Sequence, residues 1–111
     1  MPDPTAAALR RRRRKLIGDM PSLESIVRGS LIERFKRCGR PGCHCADGRG
    51  HGPKLYLSVS VSGGRPQMDY VPAVRAGEVR DMVDNFNRAR AILNEICAIN
   101  TELLRRREEI D

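Results

Sequence analysis

With 111 residues, two Phe, two Tyr and no Trp, the chain is expected to be one small domain with a modest aliphatic core. Its net charge of +7 is uneven: residues 1–54 hold 13 Lys/Arg against 5 Asp/Glu, whereas residues 55–111 hold 8 against 9. No apolar stretch approaches ~20 residues and no apolar segment follows the N-terminal cations, which argues against a membrane span or signal peptide and for a cytoplasmic setting with reduced cysteines.

In chain order, residues 1–21 read as a basic arm. A short Ala-rich piece, Thr5 to Leu9, runs into Arg10, Arg11, Arg12, Arg13, Arg14 and Lys15 before Gly18 and Pro21 interrupt. Six consecutive like charges repel one another until anions neutralise them, so the arm is expected to lie along a phosphate backbone. A solvated, partly helical tail is the competing reading. Ser22 is placed to cap one helical turn that Gly29 ends, and Ser30 to Arg37 reads as a strand.

That strand enters the most unusual stretch of the chain. Between Cys38 and Pro53 lie three of the four cysteines, both histidines and five glycines. Such a glycine-rich segment buries no core of its own, so its conformation must be set by something else. The spacing C-x4-C-x-C-x5-H of Cys38, Cys43, Cys45 and His51 offers three thiolates and an imidazole, the donor set of a tetrahedral structural Zn2+ site. His51 is preferred to His44, which sits between two ligands one residue apart; Asp47 is a weaker substitute. Around the ion, Arg37, Arg40, Arg49 and Lys54 would form a positive collar. A redox or nucleophilic role for Cys43-His44-Cys45 lacks both a dithiol helix context and an acid–base constellation, so no enzyme is expected.

Beyond the loop, Leu55, Leu57, Val59 and Val61 alternate with Tyr56, Ser58, Ser60 and Ser62, the period of a half-buried antiparallel strand. Gly63-Gly64 suits a two-residue hairpin turn. Pairing Ser62 with Arg65 then sets Val59 opposite Met68 and Leu57 opposite Tyr70. Pro66 lacks an amide hydrogen, so the third strand should be an edge or begin after it.

From about Ala76 to Glu109 a helical pattern runs for nearly four heptads. Val79, Phe86, Leu93, Asn100 and Arg107 fall at a; Met82, Ala89, Ile96, Leu103 and Ile110 fall at d. Val83, Cys97 and Leu104 at e, with Ile92 and Ile99 at g, widen the stripe. Because three short strands cannot cover so long a helix, its second half is expected to meet a second copy through Phe86, Leu93, Ile96, Asn100 and Leu103. Cys97 is expected to be a small core residue.

The order Gly29 to Phe35, Arg37-Cys-Gly-Arg-Pro-Gly-Cys-His-Cys-Ala-Asp-Gly48, His51-Gly-Pro53 and Tyr70-Val-Pro72, followed by a long helix, resembles a family of small bacterial proteins met beside transposases and site-specific recombinases. The resemblance spans roughly residues 22–104 and implies an accessory role on a mobile element. The strand Lys54-Leu-Tyr-Leu57 is less aromatic here than in that family, which weakens the expectation of a base-stacking role for it.

The expected fold is α+β: a small three-stranded antiparallel sheet with a zinc-stapled loop and a long C-terminal amphipathic helix. Three segments are expected: a basic arm (1–21), a short helix with zinc loop and hairpin (22–74), and a helix for packing and self-association (75–111). The expected function is zinc-stabilised DNA binding in support of a recombinase or transposase. Phosphate contacts would come from Arg10 to Lys15 and from Arg34, Lys36, Arg37, Arg40 and Arg49. The alternatives are RNA as the polymer, or an assembly module whose long helix binds a partner protein without nucleic acid.

Overall fold

The computed structural model describes residues 3–36 and 51–111, with backbone alone at positions 36, 51 and 52. Five regular elements occur in the order α1 (Ala6–Gly18), β1 (Ser30–Lys36), β2 (His51–Val59), β3 (Gln67–Val71) and α2 (Ala76–Arg105). This is the expected α+β architecture; the cysteine loop, and with it the zinc staple, lies outside the described residues. The described elements separate into two compact units, one made of Met1–Ile26 with Asp84–Asp111 and the other of Val27–Val83. α2 supplies residues to both.

Where a basic arm is expected, the helical unit has α1. Thr5 caps it, its hydroxyl accepting a hydrogen bond from the Ala8 amide at 3.0 Å. Ala6 to Ala8 and the arginines that follow all favour helix. The like-charge repulsion that would melt this segment in isolation is offset by partners elsewhere in the same unit. Leu16 is buried against Ile92, Ile99 and Leu103 of α2, and Ala6, Leu9, Met20, Ile96 and Ile110 pack around them.

The second half of α2 therefore has a helical partner inside its own chain. Its buried residues are Ala89, Ile92, Ile99 and Leu103, with Ile96 packed alongside, so the covered seam combines the expected d and g positions. Leu93, assigned to the seam at a, is 52% exposed, and Cys97 is exposed rather than core. α2 ends at Arg105, before the pattern does. The Glu108 amide donates to the Leu103 carbonyl and the Arg107 amide to that of Leu104, with Arg107 at φ 57°. This is a Schellman C-cap with Arg where glycine is usual.

The sheet unit has strand order β1-β2-β3, with both pairings antiparallel. Before it, Ser22 caps a single 3-10 turn at Leu23–Ser25, as expected. The hairpin register differs by one residue from expectation: Val59 pairs with Gln67, Leu57 with Asp69, Tyr56 with Tyr70 and Leu55 with Val71. The connection is the cause. Of the two turn glycines only Gly63 has positive φ, at 75°, whereas a type I′ two-residue turn needs both; β2 instead ends at Val59 and β3 begins at Gln67. Pro66 falls in this longer turn, and β3 is an edge strand.

The register settles which side chains share each face. One face carries Leu31, Glu33, Leu55, Leu57, Asp69 and Val71, among which Leu57 and Val71 are buried. The opposite face carries Ser30, Ile32, Arg34, Lys54, Tyr56, Ser58, Met68 and Tyr70. α2 begins on the sheet unit, where the Val27 amide donates to the Met82 carbonyl at 3.1 Å.

Candidate nucleic-acid interface and metal loop

A phosphate-binding surface needs cations that the protein does not already neutralise. On α1 the expected set divides in two. Arg12 makes a two-pronged pair with Glu95, Nε to Oε2 at 2.6 Å and Nη2 to Oε1 at 3.1 Å. Arg13 donates to the Asn100 side-chain oxygen at 2.6 Å and to the Ile110 carbonyl. Arg10 donates to the Glu109 carbonyl and lies 4.0 Å from the Glu108 carboxylate. Lys15 pairs with Asp19 one helical turn on. The C-terminal tail and α2 thus engage three of the six cations, Arg10, Arg12 and Arg13, and Asp19 a fourth, Lys15.

Arg11 and Arg14 are different. Both are exposed, and neither has an ion-pair or hydrogen-bond partner among the described residues. With Ala7 and Gly18 they occupy the i, i+4, i+7 and i+11 positions of α1, a narrow outward ridge flanked by small residues.

The Arg12 pair also shifts a titration. The Glu95 carboxyl is held below its usual range chiefly by the hydrogen bond from Arg12; desolvation opposes this, and the Arg12 charge adds a lesser lowering. Whatever this contact contributes to folding is therefore present above the unfolded carboxylate pKa and fades as pH falls through the lower folded value. Glu102 is held down in the same way, chiefly by its hydrogen bond from Arg106.

On the sheet unit, Arg34 is the Cα partner of Lys54 across β1 and β2, and both side chains are exposed. Like charges directly opposite each other on a sheet destabilise it, and neither has a carboxylate partner among the described residues. The acids of the sheet, Glu33 and Asp69, lie on the other face. One row along, Ile32, Tyr56 and Tyr70 line up across all three strands, with the two rings edge-to-face and their centroids 5.9 Å apart. Tyr70 is 57% exposed.

Of the remaining expected site residues, Arg37, Arg40 and Arg49 lie outside the described residues, as do the proposed ligands Cys38, Cys43 and Cys45. Lys36 and His51 are placed by their backbones, which pair with each other after a register irregularity that follows Arg34. The strands thus close the base of the cysteine loop.

At the expected self-association seam, Leu103 is fully buried and Ile96 packs within the same chain, while Asn100 accepts from Arg13. An Asn at a is a register device between helices, and here the helix it engages is α1. Phe86 lies beneath the guanidinium of Arg90, 5.9 Å from the ring centre. The surface feature that sequence reasoning missed is the ring pair of Tyr56 and Tyr70. Their common face follows from a register that the glycine pair alone does not specify.

The chain belongs to the DUF6788 family, described as a domain of unknown function, whose model matches residues 6–81. That span takes in α1, the sheet, the cysteine segment and the first turns of α2, so the arginine helix lies inside the family's domain. No curated protein and no solved structure matches the chain. Among the described residues no helix is long and apolar enough to cross a membrane.

Proposed function

We propose that this chain is a small zinc-stabilised nucleic-acid-binding protein, with DNA the expected polymer, that assists a recombinase or transposase. The observation that carries the binding reading is the pair Arg11 and Arg14, exposed on α1 and without partners among the described residues, whereas Arg10, Arg12, Arg13 and Lys15 are held by carboxylate, amide or carbonyl oxygens. The mobile-element role is supported by the resemblance described above. Each phosphate neutralised on a duplex adds about 0.9 to the slope of log affinity against log salt. Replacing Arg11 and Arg14 together with Ala should therefore lower that slope by roughly two units. The charge-balanced double variant Arg12→Gln/Glu95→Gln should leave it unchanged. Equal slopes for the wild type and the Arg11/Arg14 variant would sink the reading.

Zinc is supported by two features of the sheet unit. Pairing of Lys36 with His51 brings together the two ends of the segment that holds the proposed ligands. Among its described residues only Leu57 and Val71 are buried hydrophobics, a core small enough to call for a staple. Cys38, Cys43, Cys45 and His51 would hold the ion, and zinc in such a site supplies a crosslink rather than a reactive centre. Native mass spectrometry should find one zinc per chain. Chelation, or Cys43→Ser, should remove it and lower the melting temperature; a melting curve indifferent to chelation would overturn the assignment.

A second reading, an assembly module acting through α2, is favoured by Leu93 and Leu104, which are 52% and 64% exposed on that helix. A second copy or a recombinase subunit could occupy that face. Salt-independent co-purification with a partner protein, and no retardation of any oligonucleotide, would select it over the first.

A further inference from the structure

The face of the sheet opposite Leu57 and Val71 combines three properties. It presents a ring pair, Tyr56 and Tyr70, in line with Ile32 across the strands. One row away, about 7 Å along the strands, it presents two cations placed directly opposite each other, Arg34 and Lys54. Among the described residues it carries no carboxylate.

The edge-to-face ring pair stabilises the sheet by itself, but two features beside it are unfavourable for the folded chain alone. The Arg34–Lys54 juxtaposition is repulsive, and an exposed tyrosine on an edge strand leaves apolar ring surface in water. An anion bearing flat aromatic groups relieves both. Phosphate oxygens would neutralise the cation row, and a base would stack on the ring that the chain leaves half open. Aromatic side chains on a sheet beside a basic track are the physical requirement for holding an unpaired strand, because every base has a π-face whereas a duplex keeps its bases stacked on one another.

We propose that this face is a stacking platform for single-stranded nucleic acid, with Tyr70 and Tyr56 taking bases and Arg34 and Lys54 taking the adjoining phosphates. The proposal rests on the nucleic-acid reading given above and adds a strand preference to it. Asp69 and Glu33 face the other way, so their charges do not oppose the bound backbone across this face.

The composition of the chain supplies a specific probe. Both of its tyrosines are in this pair and it has no Trp, so intrinsic emission reports on the platform alone. Titration of the 111-residue chain with a dodecamer of dT, a dodecamer of rU and a duplex of equal length should quench tyrosine emission saturably with the single strands. Quenching by both polymers is the expected result for stacking; a preference for rU would identify a contact to the 2′-hydroxyl.

Tyr70→Ala should weaken single-strand binding about tenfold. Tyr70→Phe should restore it, because the ring and not the hydroxyl is needed, whereas Tyr70→Leu, which keeps the bulk without the ring, should not. Arg34→Gln with Lys54→Gln should weaken binding and lower its salt dependence, and relief of their repulsion should leave the melting temperature unchanged or higher. Single-strand binding that leaves tyrosine emission unchanged, or a Tyr70→Leu variant that binds single strands like wild type, would overturn the platform while leaving the Arg11/Arg14 reading intact. Absence of binding to any nucleic acid would overturn both.

Discussion

Replacing Leu103 with Ala should destabilise the helical unit by about 3 kcal/mol, within the range for removing a fully buried leucine. Leu103 has no exposed surface, and it lies in the cluster formed by Leu16 of α1 with Ile92 and Ile99 of α2. Truncation leaves a cavity that two helices braced by the Arg12–Glu95 and Arg13–Asn100 contacts cannot readily collapse. Leu104, its neighbour in sequence, is 64% exposed, so Leu104→Ala should change stability by less than ~0.5 kcal/mol. Denaturant melts of the two variants make the comparison. Burial of Leu103 is intramolecular, so its cost should also be independent of protein concentration. A loss that shrinks as concentration rises would return Leu103 to an interface between chains.

The second large effect is expected at Gly29, just before β1. Its φ is +140°, a conformation that residues with a side chain rarely adopt. An added Cβ would lie 2.8 Å from the Ser58 carbonyl oxygen and 2.9 Å from Cδ1 of Leu57. The first of these is backbone in the central strand and cannot swing aside. Gly29→Ala should therefore cost about 2 kcal/mol or more, combining backbone strain with a forced shift of β2. Gly77→Ala is the control: a Cβ added there would meet nothing within 4 Å, and the residue is in α2, where Ala is preferred. It should be neutral or slightly stabilising. Equal melting temperatures for the two variants would show that the chain enters β1 by another route.

What could be read from the sequence depended on whether the deciding interaction was local. The alternation of Leu55, Leu57 and Val59, the Ser22 cap and the start of α2 near Ala76 all express local periodicity or capping, and each is found where it was expected. Hairpin register rested on a turn whose type depends on the φ of two glycines. Only one adopted the required sign, and the faces shifted by one residue. The arginine run misled for the opposite reason. Its charges predict repulsion unless their acceptors are known, and those acceptors, Glu95, Asn100 and the carbonyls of Glu109 and Ile110, lie more than eighty residues away. That α1 covers part of α2 within the chain was likewise a tertiary fact with no local signal. Of the candidate site, the cationic residues could be listed from the sequence, but which of them remain unpaired is a tertiary fact. The tyrosine pair had no signal until strand pairing was known.

The division of the chain also sets an order of assembly during synthesis. The sheet unit is continuous from Val27 to Val83, whereas the helical unit needs both Met1–Ile26 and Asp84–Asp111. On a ribosome adding roughly 5–20 residues each second, Leu16 waits on the order of ten seconds for Leu103. Throughout that interval all five arginines of α1 lack the carboxylate and carbonyl acceptors that later hold Arg10, Arg12 and Arg13. Until then Arg12 also lacks its close counter-charge, the Glu95 carboxylate. Completion of α2 and its tail ties down Arg10, Arg12 and Arg13 and leaves the ridge of Arg11 and Arg14 without partners among the described residues.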